Sequence, residues 1–178
     1  MRVGSQVAVG AVCGALILAG CGSETVEGTA GAEGSSSGSG EPVFSPCDDI
    51  PDDALRGVGV DVVTESRDIL GVKQPGWNVC MWQGPAYSLS VFATVYTLDD
   101  VRSNKNNHEF TAVNLNGREA TSYRGVADTG RRNCDVAVGS NEGAVLISIS
   151  YLGNDPIVEE PCAVAIRSAV QLESYIPA

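Results

Sequence analysis

The chain has 178 residues, with 11 lysines and arginines against 22 aspartates and glutamates, and a formal net charge of −11 at neutral pH. That balance excludes the basic footprint of a nucleic-acid binder. The length holds one domain of ordinary size beside its flanking segments.

Near the start the chain has one cation, Arg2, and then runs apolar from about Val7 to Leu18. A dozen or so residues fall short of the roughly 20 that a helix needs to cross a bilayer core, and the pattern is that of a secretory signal. It ends in Leu18-Ala19-Gly20-Cys21, similar to the bacterial lipobox, in which small residues precede the cleaved bond and a cysteine thiol receives a diacylglyceryl group. Residues 1–20 are read as a lipoprotein signal peptide and Cys21 as the lipid attachment site. The expected location is the extracytoplasmic face of a cell membrane, reached through lipid on Cys21 and not through a spanning helix. Two or more acyl chains make such an attachment stable. The plainer alternatives are a buried core helix or an ordinary signal with a chance cysteine.

From Cys21 to Ser45 the chain is dominated by Gly, Ser, Thr and Glu. Little in it offsets the entropy of ordering a backbone. It is read as a flexible tether with an r.m.s. span of roughly 27 Å. Residues 46–178 are left as a single globular domain.

Four cysteines fall in that domain: Cys47, Cys80, Cys134 and Cys162. An even count in an exported domain points to two disulfides, and the long spacings do not suit a metal site. Cys134, Val136 and Val138 share one strand face. Cys162, Ala165, Ile166, Ala169 and Leu172 share one helix face, so Cys134 is expected to pair with Cys162, leaving Cys47 with Cys80.

A short helix is expected near Pro51, with aspartates at its start where the helix dipole favours them. Strands follow at Asn78–Trp82 and Tyr87–Tyr96 around a turn at Gly84-Pro85; in the second, Leu89, Val91 and Ala93 alternate with Ser88, Ser90 and Thr94. Thr97 is a candidate cap for a short surface helix. Asn116-Gly117 suits a type I′ hairpin turn. A second hairpin spans about Asn133–Val138 and Ala144–Tyr151, and a helix from about Pro161 to Tyr175 closes the chain. The expected class is α+β: a mostly antiparallel sheet with a short N-terminal helix and a C-terminal helix packed on one face, pinned by two disulfides.

The stretches PCDDIPDDALRGVGV, CMW, VNLNGREA, CDVAVG and PCAVAIRSAVQLESYIP occur in this order after the lipobox and tether. The layout resembles a family of small actinobacterial lipoproteins, of the mycobacterial LprB type, that carry a domain of unknown function. The resemblance covers Pro46 to Pro177. It implies an envelope lipoprotein with structural disulfides and carries over no catalytic residue.

Little else points to chemistry. His108, the one histidine, sits in the polar tract SNKNNHEF, expected to be a solvated loop, and a histidine-based nucleophile system would have to use it. Asp48, Asp49, Asp52 and Asp53 lack the turning-loop pattern of a calcium site. They and Glu159-Glu160 read as acids at helix starts. Of the few cations, Arg131-Arg132 near Arg124 form the one small basic patch. No acid stands in an apolar run that would raise its pKa for acid catalysis. Trp77 and Trp82 flank Cys80; Trp82 reads as core, while Trp77, in the turn-rich KQPGWN, is the candidate partner contact. No cofactor, metal or catalytic site is expected. The expected function is a non-catalytic binding or interaction module of the cell envelope with a protein partner. The alternatives are a carrier of a small lipid or apolar ligand, and an acid-based envelope hydrolase.

Overall fold

The computed structural model describes residues 40–154 and 156–178. The segment read as a signal peptide, Cys21 and most of the stretch read as a tether lie outside the described residues. Two short helices, α1 (Pro46–Asp49) and α2 (Asp52–Gly57), lead into strands β1 (Asp61–Arg67), β2 (Trp77–Gln83) and β3 (Ser88–Thr94). Helix α3 (Leu98–Ser103) comes next, then β4 (Asn107–Leu115), β5 (Arg118–Gly125), β6 (Asn133–Ser140) and β7 (Gly143–Ser150). Helix α4 (Pro161–Leu172) and a 3-10 turn at Glu173–Tyr175 end the chain. The strands form one sheet in the order β1-β2-β3-β7-β6-β5-β4, and every neighbouring pair is antiparallel.

Alternation decides the two faces. Trp82, Leu89, Val91, Val136, Ile147 and Ile149 are buried on one face of the central strands, in a core completed by Val164, Ala165, Ala169 and Leu172 of α4 and Leu55 of α2. Cys134 and Cys162 join β6 to α4, and Cys47 and Cys80 join α1 to β2. The disulfide pairing is the one that the strand and helix spacings imply. Glu160 caps α4 by accepting a hydrogen bond from Ala163 N at 2.8 Å. Thr97 and Asp100 form a reciprocal capping box on α3. Asn116 and Gly117 both take positive φ, 51° and 103°, as the expected hairpin turn requires.

Four features depart from the sequence reading. Strand β1 is an edge strand, mostly exposed, and its sequence has no clean alternation of apolar and polar residues to mark it. Helix α3 packs on the opposite face to α4, where Val101 meets Tyr123, Ala137, Ala144 and Leu146 in a second, smaller core. His108 lies on β4, not in a loop, and is exposed there. The folded part also begins before Pro46. Phe44 is 6 % exposed within the main core, and Asn78 Nδ2 donates to the carbonyls of Pro42 (2.8 Å) and Phe44 (2.9 Å).

An antiparallel sheet has two poles, and the register separates them. Thr94 pairs with Ala144 at one, and Ser88 with Ser150 at the other. The chain joins the domain at the first pole: Glu41 accepts from Gly76 N at 3.1 Å, and Val43 N donates to Glu142 at 2.9 Å. The loop from β1 to β2 and the β6–β7 turn share this N-terminal pole. The β5–β6 loop and the end of β7 occupy the far pole.

The Cys134–Cys162 bridge closes a separation of 28 residues, for which loop entropy gives about 3.5 kcal/mol. Replacing both cysteines with alanine is expected to lower unfolding free energy in guanidinium by about that amount. A loss under about 1 kcal/mol would mean that α4 is held by its apolar face alone.

Candidate functional site

The face that α4 leaves free is only half covered by α3. The uncovered half, toward the far pole, holds an open cleft of about 580 Å³. Its floor follows from strand register. Met81, Ser90, Ser148 and Asp135 lie in one row across β2, β3, β7 and β6, which Tyr123 of β5 continues beneath α3. Gln83, Ser88, Ser150 and Asn133 form the next. Small hydroxyl side chains on these rows leave space where the same face, nearer the N-terminal pole, has Phe92 and Leu146 under α3. Ser88 Oγ donates to Ser150 O at 3.2 Å, and Ser150 Oγ donates to Asn133 Oδ1 at 2.5 Å.

The β5–β6 loop and the segment after β7 wall the cleft. Arg124 builds the first wall from beneath. It is 3 % exposed, a buried guanidinium, and it donates to Asn133 O and to Glu160. It also reaches Asp128 at 3.5 Å and Glu109 at 3.8 Å. Asp128 gathers the loop by accepting from Arg132 N (2.8 Å) and Asn133 N (2.9 Å). Arg131 forks onto both oxygens of Glu109 at 2.8 and 2.9 Å, and this contact holds the Glu109 carboxyl below its ordinary range. Arg132 Nε donates to Tyr151 O at 2.8 Å, which ties the two walls together. The arginines that the sequence shows as a basic patch are thus internal fasteners.

Asp135 is the carboxyl on the floor, half-buried beside Ser148, while its chain neighbours Cys134 and Val136 face the main core. Burial pushes its carboxyl up to about 6; the Ser148 hydroxyl works against that shift, the nearby Asp128 charge adds to it and Arg124 opposes it. This corrects the expectation that no acid of the chain sits in an apolar run. Its signal was in plain view in CDVAVG, where the residue falls on the strand face opposite Cys134 and Val136. On the same row, burial also raises the Tyr123 phenol.

The other candidates disperse. Asp48 is forked by Arg67 at 2.6 and 2.8 Å, Asp52 and Asp53 pair with Arg56, and Asp49 accepts from Ser45 N at 2.7 Å. They do not converge. Among the described residues, Cys47, Glu65 and Cys80 are the three ligand-type side chains that do meet, and both sulfurs belong to a disulfide. Trp77 packs its indole edge-on to Phe92 at 6.3 Å and tilted to Tyr96 at 5.7 Å. It lines a second cavity, of about 480 Å³, beside α3. Trp82 is fully buried in the main core.

A disulfide-pinned antiparallel α+β domain with an open, serine-floored cleft is the class that the fold and site define. The chain belongs to the family described as "Protein of unknown function (DUF3558)", whose model matches residues 16–175. No curated protein and no solved structure matches it.

An acid with a raised pKa destabilises the fold where it must ionise, so stability attributable to Asp135 falls as pH rises from about 4 through about 6. Asp135→Asn is expected to match the unsubstituted protein near pH 4 and to exceed it at pH 7.5 by about 1–3 kcal/mol in chemical denaturation. Equal stability at both pH values would remove the shift. Arg124→Met strands the Asp128 and Glu160 carboxylates and is expected to cost about 3 kcal/mol. Arg124→Lys should not restore it, because one ammonium cannot replace the guanidinium fork.

Proposed function

We propose that the protein is an extracytoplasmic lipoprotein, held to a cell membrane by acylated Cys21, whose folded head is a non-catalytic binding module for an envelope protein partner. The observation that carries this is the cleft: rigid strands present a floor of hydroxyls, an amide and one carboxyl, open to solvent. Such a surface recognises a polar segment by hydrogen bonds. The family match begins at Leu16 and so takes in the Leu18–Cys21 box, which supports the anchored reading, as does the resemblance to actinobacterial lipoproteins of the LprB type. A carrier of an apolar ligand needs a mainly apolar enclosure, and the polar floor favours the partner reading over it.

A second reading, an acid-based hydrolase, draws on Asp135, since a carboxyl titrating near 6 suits general acid work. Asp128, the other acid of the cleft, is a poor base or nucleophile for it. Its oxygens already accept from two backbone N–H groups and face a guanidinium.

The test places a photo-crosslinking residue at Ser90 in the full chain, expressed in cells that process lipoproteins. A single enriched neighbour in the membrane fraction is expected, lost when Ser148→Trp fills the cleft. Cys21→Ala should release the protein from that fraction. A diffuse label set that Ser148→Trp leaves unchanged would overturn the binding function. Hydrolysis of an envelope polymer, abolished by Asp135→Asn, would replace it with the enzymatic one.

A further inference from the structure

We propose that the exposed apolar turn at Ile69, Leu70 and Val72 is a membrane-contact wedge, which dips into the bilayer that anchors the chain and holds the domain with its N-terminal pole down and its cleft outward. The inference rests on the anchored reading of Cys21.

The turn lies between β1 and β2. Ile69 pairs with Val72 in an isolated bridge, closed by Val72 N donating to Ile69 O at 3.0 Å. Leu70 and Gly71 both take left-handed backbone, with φ of 55° and 74°. The result is a tight reversal that throws its side chains outward: Ile69 is 48 %, Leu70 96 % and Val72 60 % exposed. Solvated turns favour Gly, Asn, Asp and Ser, and a leucine at positive φ is disfavoured there. Apolar side chains held at such a place need a reason outside the domain.

The base of the turn is fastened, so the tip is held away from the sheet. Asp68 N donates to Val79 O at 3.0 Å. Lys73 donates to Trp77 O and Asn78 Oδ1, and it pairs with Glu41 at 3.2 Å. Glu41 and Pro42, which lead into the domain, are bonded at this same pole to Gly76 N and Asn78 Nδ2. The wedge therefore sits beside the point where the chain from Cys21 joins the domain. Eighteen residues, 22–39, lie between Cys21 and Gly40, a Gly- and Ser-rich length whose r.m.s. span is roughly 23 Å. A tether of that reach lets the pole where it joins the domain come to the bilayer surface, and the wedge is what would hold it there.

Lipid fits this tip better than a protein does. The tip is small and convex, below the area a stable protein interface needs. A bilayer asks for no shape complementarity, and an anchor that keeps the tip at high effective concentration lets a small contact count. The neighbouring cations are already matched, Arg67 by Asp48 and Lys73 by Glu41. The contact is accordingly apolar and insensitive to salt. The cleft, at the far pole, is left facing away from the membrane.

The experiment uses the full lipidated chain in phosphatidylcholine vesicles, with and without acyl-brominated lipid, and reads indole quenching. Leu70→Trp and Val72→Trp report the tip, and Val126→Trp reports the far pole. The emission of the introduced indole, taken as the difference from the unsubstituted chain with its Trp77 and Trp82, is expected to fall to about half for the first two, as for side chains seated at the acyl boundary, with no change in high salt. The unsubstituted chain and Val126→Trp should remain unquenched. A lipidated chain in which Leu70→Trp and Val72→Trp are quenched no more than Val126→Trp overturns the wedge alone. A Cys21 without diacylglyceryl mass overturns the anchored reading and the wedge with it, and the mass spectrum tells the two failures apart.

Discussion

One buried guanidinium organises the far pole. Arg124 ends β5 on the face that packs toward α4, and its branches reach the β6 backbone at Asn133, the β5–β6 loop at Asp128, the α4 cap at Glu160 and the β4 bulge at Glu109. A charge so placed carries a large desolvation cost, offset only when its hydrogen bonds are met and its counter-charges are close. Here they are supplied by four separate segments. The loop that walls the cleft, the strand that floors it and the helix that backs it thus share one electrostatic centre. Glu160 serves twice, since the carboxylate that pairs with Arg124 also caps α4. The wall and the helix start are coupled through a single side chain.

The two faces of the sheet then divide the work. Alternation on β3, β6 and β7 sends large apolar residues toward α4, where two disulfides hold the outer elements against the strands. With stability secured on that face, the other need not be apolar throughout. Its N-terminal half is closed by α3 over Tyr123, Ala137 and Leu146. Its far half carries serines instead, and small residues on a pleated surface leave room that a ligand or partner can fill. The cleft is the place where the second core stops.

Much of the fold was legible because local chemistry and global packing agree there. Asn116-Gly117 names its own turn, the β3 alternation names its own face, and Cys134 and Cys162 each sit in a periodic apolar pattern that points at the other. What escaped has physical reasons. Strand β1 is an edge whose exposed Val63 breaks the expected pattern, and pairing with β2 through an irregular register holds it in place. Phe44 is one core residue at the end of a polar tract, too little for periodicity to register. Arg124 read as part of a basic surface patch because spacing along a chain cannot show that its partners arrive from β4, from a loop and from α4. Asp135 was visible as an acid between cysteine and valine, but its consequence depends on which neighbours share its face, and that is a matter of register between strands.

The sheet's connectivity also decides where a site can be relative to an attachment point. Apart from the α3 segment, which crosses the face from the end of β3 to the start of β4, the connections between strands lie at one pole or the other. The chain joins at the pole of the β1–β2 loop and the β6–β7 turn, pressed there by bonds from Glu41, Pro42, Val43 and Phe44. That contact fills the near side and places Glu142 and Asn78 under main-chain cover. Strand direction puts the β5–β6 loop and the β7 end at the opposite pole, where they wall the cleft. Within it most charges are held by partners close at hand: Arg124 by its acids, Arg131 by Glu109, and Arg132 by carbonyls. Among the described residues Asp135 has no such ion-pair partner, and burial pushes its carboxyl up to about 6. An occupant that donates a hydrogen bond or carries a cation would meet that carboxyl on the floor, between walls whose charged groups are already engaged with one another.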